Sequence, residues 1–155
     1  MPLLEFLAPD AVVCALRARS KKQVLQDLAA QSVRHLPMLA ERAVFDTLLQ
    51  RERLGSTGIG EGVAIPHGKL AGLDRLFGLF ARFDRPVDFE ALDGEPVDIA
   101  FLLLAPEGAG ADHLKALAQV ARVLREPGML GSIRAARDEA ALFALLTRNA
   151  ACRAA

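Results

Sequence analysis

The chain has 155 residues, 52% of them hydrophobic, which suits one domain with its own core and excludes a largely disordered chain. Lys plus Arg and Asp plus Glu both number 19, so the formal net charge is zero; with no block of like charge, this argues against a nucleic-acid partner. Trp and Tyr are absent, which leaves few platforms for stacking bases, and Cys14 and Cys152 are too few and too far apart for a disulfide framework.

Met1 to Asp10 carries Glu5 and Asp10 and no basic stretch, so it does not read as a signal peptide. Two isolated thiols fit a reduced, cytoplasmic protein. Val12 to Leu16 reads as a short strand. Ser20 and Gln23 have the spacing of a capping box. Val24, Leu25, Leu28, Ala29 and Val33 then form a helical stripe. Pro37 interrupts it. A second helix is expected over about Leu39 to Leu54, with Val44, Phe45, Leu48 and Leu49 inward. Gly55 ends it, and Arg51 and Arg53 in the last turn complement the helix dipole.

A glycine loop follows, Gly55-Ser56-Thr57-Gly58-Ile59-Gly60-Glu61-Gly62, leading to a Val63-Ala64-Ile65 strand and to Pro66-His67. Leu76 to Phe83 and Val97 to Leu104 are the strongest strand candidates, separated by an Asp93-Gly94 turn. The run Ile99 to Leu104 is continuously apolar, as in a central strand covered on both faces. Ile99 to Ala105 is too short to cross a bilayer, so no direct membrane insertion is expected. After a Pro106-Gly108-Gly110 loop, Asp112 is the expected N-cap of a helix carrying Leu114, Leu117, Ala118, Ala121 and Leu124. Pro127-Gly128 stops it. A short helix near Met129 to Ala136 and a last one capped by Asp138, with Leu142, Leu145 and Leu146 inward, complete the chain. The Ala-rich tail after Thr147 is expected to fray. The pattern predicts an α/β fold: a single layered domain over residues 1–155, core about 5–148, with a mixed β-sheet flanked by helices on both faces.

The glycine loop and His67 carry the chemistry. Dense glycines turn the backbone sharply and expose its amides. Pro66 fixes the entry to His67, whose imidazole titrates near neutral pH. A phosphate-binding P-loop needs Lys-Ser/Thr after its last glycine, but Gly60 is followed by Glu61. A dinucleotide fingerprint needs strand, then loop, then helix; here the order is reversed. A hydrolase elbow of the Gly-x-Ser-x-Gly type is missing. His67 and His113 lie too far apart in sequence for a recognisable metal-ligand spacing, so neither metal nor cofactor is expected. The bland alternative is a tight connection and nothing more. His113 opens a predicted helix and is as readily surface decoration as function. His35, beside Pro37, reads as incidental.

Arg51-Glu52-Arg53-Leu54-Gly55 through Ala64-Ile65-Pro66-His67-Gly68-Lys69 resembles the signature of the fructose/mannitol-type enzyme IIA domains of the bacterial phosphoenolpyruvate-dependent phosphotransferase system. Ser56 to Gly60 most resembles the nitrogen-regulatory branch. The likeness continues through Pro86 to Phe89, Asp93 to Asp98 and Leu102 to Pro106, then at His113-Leu114. It implies that His67 accepts a phosphoryl group from a phosphohistidine on a small carrier (HPr or its nitrogen-branch relative, NPr), with Arg51 and His113 as its companions. Amides around Ser56, Thr57 and Gly58 are expected to cradle phosphate oxygens. The resemblance implies regulatory targets such as a potassium transporter or a sensor kinase. Two alternatives stay open: a sugar-transport component that passes phosphate to an enzyme IIB, and an interaction module that is never phosphorylated.

Overall fold

The computed structural model describes residues 1–154, with side chains through Arg148. After a 3-10 turn at Leu3–Glu5 come β1 (Leu7–Leu16), α1 (Lys21–His35), α2 (Glu41–Arg53), β2 (Gly58–Gly60), β3 (Val63–Ala64), β4 (His67–Leu70), β5 (Phe77–Val87) and β6 (Val97–Pro106). The helices α3 (Ala111–Leu124), α4 (Met129–Ala135) and α5 (Glu139–Ala154) follow.

The sheet runs β1-β5-β6-β3-β2, and β4 also pairs with β6. It is mixed: β5 and β6 are antiparallel, β1 is parallel to β5, and β3 and β4 are both parallel to β6. Ile99 through Ala105 have no exposed surface, so the continuous apolar run is a strand covered on both faces. Helices α1 and α2 pack on each other, while α3, α4 and α5 form a second contiguous group. The expected α/β domain with a mixed sheet and flanking helices is the fold observed.

Several boundaries differ from the sequence reading. β1 begins at Leu7, not Val12, because it is an edge strand that tolerates Pro9 and exposed Asp10. Its pairing with β5 shifts register between Leu7 and Val12. β5 runs past Phe83 to Val87 through a second register shift, which absorbs Asp84 to Pro86. Gly110, with φ 53°, caps α3, and Asp112 lies inside the first turn, where its charge suits the dipole. The Ser20 hydroxyl accepts the Gln23 N–H at 3.1 Å, but Gln23 reaches back to the Arg19 amide, one residue before the cap. Asp138 caps α5 through the Ala141 N–H at 2.8 Å. The helical backbone of α5 continues through the Ala-rich end to Ala154. The Cys152 side chain lies outside the described residues, and Cys14 is a free thiol.

Gly68 lets α2 approach β4. A Cβ there would sit 2.5 Å from Thr47 Cγ2, too close for either helix or strand to ignore. Gly68→Ala is therefore expected to destabilise the fold by about 1–3 kcal/mol in urea denaturation. Thr47→Ser in the same background, which removes the clashing methyl and keeps the hydroxyl bond to the Ala43 carbonyl, should recover much of that loss.

Candidate functional site

β3 and β4 are two pieces of one line along β6. Val63 and Ala64 pair with Ile99 and Ala100, and His67 to Leu70 pair with Leu103 to Pro106. Pro66 has no N–H to donate, so the ladder breaks there, yet its carbonyl still accepts from Leu103 N–H at 2.9 Å. His67 thus opens a strand instead of ending one. It emerges at an edge of the sheet, half-buried and backed by the buried run Ile99 to Ala105 of β6.

The ring is held at both nitrogens. His67 Nδ1 lies 2.8 Å from the Ile65 carbonyl oxygen. A carbonyl can only accept, so Nδ1 carries the proton. Nε2 then keeps its lone pair and accepts from Arg51 Nε at 3.2 Å. Arg51 is itself anchored: its Nη1 donates to the Gly55 carbonyl at 2.9 Å, just past the end of α2. His113, from the first turn of α3, sets its ring 5.6 Å from His67, centroid to centroid, at 66°. It is only 7% exposed, and its Nε2 has no partner among the described residues. An orphaned polar nitrogen of that kind asks for an explanation.

Both rings hold protons less readily than an ordinary histidine. For His67 the main cause is burial; the Arg51 charge adds to it, and the Ile65 bond and the Glu52 charge oppose it. For His113 burial again leads, followed by the charges of His67 and Lys69. The site therefore presents two neutral imidazoles beside a guanidinium.

The glycine loop does something different from the cradle expected of it. The Thr57 amide donates to Glu52 Oε1 at 3.0 Å, and the Thr57 hydroxyl bonds to the other Glu52 oxygen. The Gly58 amide is taken by Ser56 Oγ at 3.0 Å, whose own hydroxyl donates to the Phe89 carbonyl. The amides of Thr57 and Gly58 and the Ser56 hydroxyl thus already have partners in Glu52, Ser56 and Phe89. Leu92 N–H reaches the Gly58 carbonyl, and a Cβ on Gly58 would lie 2.8 Å from that of Ala91. The loop is clamped under the 88–96 connection; its Gly55 carbonyl accepts from Arg51 and its Thr57 carbonyl from the Ile65 N–H.

Glu52 is the residue the sequence reading missed. Its carboxylate is buried, 3.0 Å from Lys21 Nζ, and it ties α1, α2 and the loop together. One signal existed: an acid in the last turn of a helix opposes the dipole and needs a reason. Among the described residues no group of three His, Cys, Asp or Glu is arranged to hold a metal ion.

The fold class defined by this sheet and its helices is that of the enzyme IIA proteins. The nitrogen regulatory protein IIA-Ntr from Neisseria meningitidis matches with a TM-score of 0.86 and 36% identity, over 92% of this chain and 97% of that one. A nitrogen regulatory protein of Bradyrhizobium diazoefficiens is 59% identical over 146 residues, 94% of this chain and 95% of the relative. Another, from Pseudomonas aeruginosa, is 40% identical over 93% of this chain and 94% of its own. Residues 5–149 match the family described as phosphoenolpyruvate-dependent sugar phosphotransferase system, EIIA 2, and the chain belongs to that family. It is accordingly a phosphotransferase-type component.

Two outcomes follow from the electrostatics. In NMR titrations both His67 and His113 should show midpoints below the ordinary 6.5, and Arg51→Met should raise that of His67. As pH falls below that value the unfolded chain takes up protons before the folded one. Stability against urea should therefore decline from about there down through the folded midpoints.

Proposed function

We propose that the protein is a phosphocarrier that accepts a phosphoryl group on His67 Nε2 from a phosphohistidine of a small carrier protein, in a cytoplasmic regulatory relay. The carrying observation is the bond from Nδ1–H to the Ile65 carbonyl, which leaves Nε2 as the free base. The reaction needs a neutral imidazole aligned with phosphorus, and burial supports that neutrality. As the Nε2–P bond forms, the donor's P–N bond breaks and the electron pair stays on the donor ring, which leaves as neutral imidazole because its other nitrogen carries a proton. His67 keeps its Nδ1 proton against Ile65 throughout.

Phosphoryl transfer has a loose transition state with charge spread over three equatorial oxygens. Arg51 is suited to that charge. It caps the Nε2 lone pair in the resting protein and would turn its N–H groups to phosphate oxygens once phosphorus takes that position. His113 would give its unpartnered Nε2 to another oxygen, as a donor in the tautomer protonated there. With the Nδ1 proton kept, the transferred PO3− adds about one net negative charge, concentrated on the phosphoryl oxygens at one surface, enough to change which proteins dock there. The nitrogen regulatory names of the relatives favour regulatory targets over sugar transport.

His67→Ala should abolish phosphoryl acceptance from phosphoenolpyruvate, enzyme I and the small carrier, read as mass added at neutral pH, with the fold intact by circular dichroism. Phosphate retained on that variant would end the assignment. Arg51→Ala and His113→Ala should each slow transfer by about 30- to 1000-fold, the equivalent of about 2–4 kcal/mol of barrier, without removing the acceptor. A wild-type rate for either removes it from the site. Rapid onward transfer to an enzyme IIB, and none to a regulatory partner, would replace the regulatory reading with a sugar-transport one.

A further inference from the structure

The charges around His67 do not balance. Arg51 contributes one cation. The nearest acid on the same helix, Glu52, is committed to Lys21 and to Thr57. A second cation stands on β4 itself. Strand residues alternate in direction, so Lys69 projects from the same face as His67, while Gly68 turns toward Thr47 on α2 and Leu70 is buried. Lys69 lies opposite Ala105, where β6 is about to lead into α3 and His113. Its side chain is exposed, and among the described residues it makes no ion pair and no hydrogen bond.

We propose that Lys69 is the second cation of the phosphoryl site, its ammonium balancing the charge that a phosphoryl group brings to His67. This rests on the phosphocarrier reading above. Two unneutralised cations beside two neutral rings are unfavourable in the resting protein. The phosphoryl oxygens, on which the charge added by PO3− is concentrated, are what they meet. Lys69 also acts before any phosphate arrives. Together with burial and His67, its charge holds His113 below the ordinary histidine range; Asp112 is the acid next to His113 on its own helix. Lys69 thus acts on the charge state of His113 as well as serving as a counter-charge. Being exposed, it exerts an effect that salt screens.

The variants Lys69→Gln and Lys69→Arg test this, at an exposed strand position where folding is not at stake. In the unphosphorylated protein, the NMR midpoint of His113 should rise with Gln and stay near wild type with Arg. With a phosphorylated small carrier as donor, the fraction of His67 phosphorylated at equilibrium should correspond to a constant about threefold to fivefold lower with Gln. Arg should restore it, and 0.5 M salt should shrink the difference. If wild type accepts phosphate and the Gln variant matches it at equilibrium, the Lys69 proposal is overturned, whatever His113 does. An unmoved His113 midpoint overturns the effect of Lys69 on that ring. A wild type that accepts nothing from the carrier overturns the phosphocarrier reading instead, and the two failures cannot be confused.

Discussion

A single hydrogen bond, 2.8 Å from His67 Nδ1 to the carbonyl of Ile65, decides what the site is able to do. Imidazole has two nitrogens of similar basicity, and an unconstrained ring samples both tautomers. The carbonyl accepts only, so it fixes the proton on one nitrogen and leaves the other as the base. That carbonyl is placed by the break at Pro66, between β3 and β4. Its neighbours on β6 have no exposed surface and cannot move without opening the core. The ring of His67 is therefore oriented by a strand backed by the buried core, although it sits at the edge of the sheet.

The second constraint is where carboxylates are absent. A histidine beside a free acid would gain protons and lose its lone pair. Here the acid next to Arg51 on α2, Glu52, is bonded to Lys21 and to the Thr57 hydroxyl and amide, and its remaining pull on His67 is outweighed by burial. That arrangement serves two ends. It satisfies a buried carboxylate, which would otherwise be costly, and it leaves the Arg51 guanidinium unneutralised. Burial of both rings works in the same direction. The glycine loop takes part through its shape: it passes close under Ala91 and supplies the Gly55 carbonyl that steadies Arg51.

Much of the fold was legible in the chain. The apolar run from Ile99, the Ser20 cap, the stripe of α1 and the Asp138 cap all rest on periodicity or local hydrogen bonding, which a window of a few residues contains. The misplaced boundaries share one cause. β1 and β5 extend through Pro9 and Pro86 by register shifts, and a strand's tolerance of proline depends on whether it has an edge to spare. The Asp112 cap went to Gly110, whose left-handed backbone was not foreseeable from composition.

The sequence by itself determined the class of domain and the central strand, and it singled out His67 as the candidate site histidine, because each is written in adjacent residues. Only the tertiary structure decided which ring nitrogen is free, that Arg51 meets it, and that His113 arrives 5.6 Å away with an unpartnered nitrogen. It also turned the amides of Thr57 and Gly58 inward, to Glu52 and Ser56. The physical reason is distance: hydrogen bonds and charges act over a few ångströms. Which groups stand within that range across 16 or 46 residues of chain is set by how α2, β4 and α3 pack, not by the order in which they are spelled.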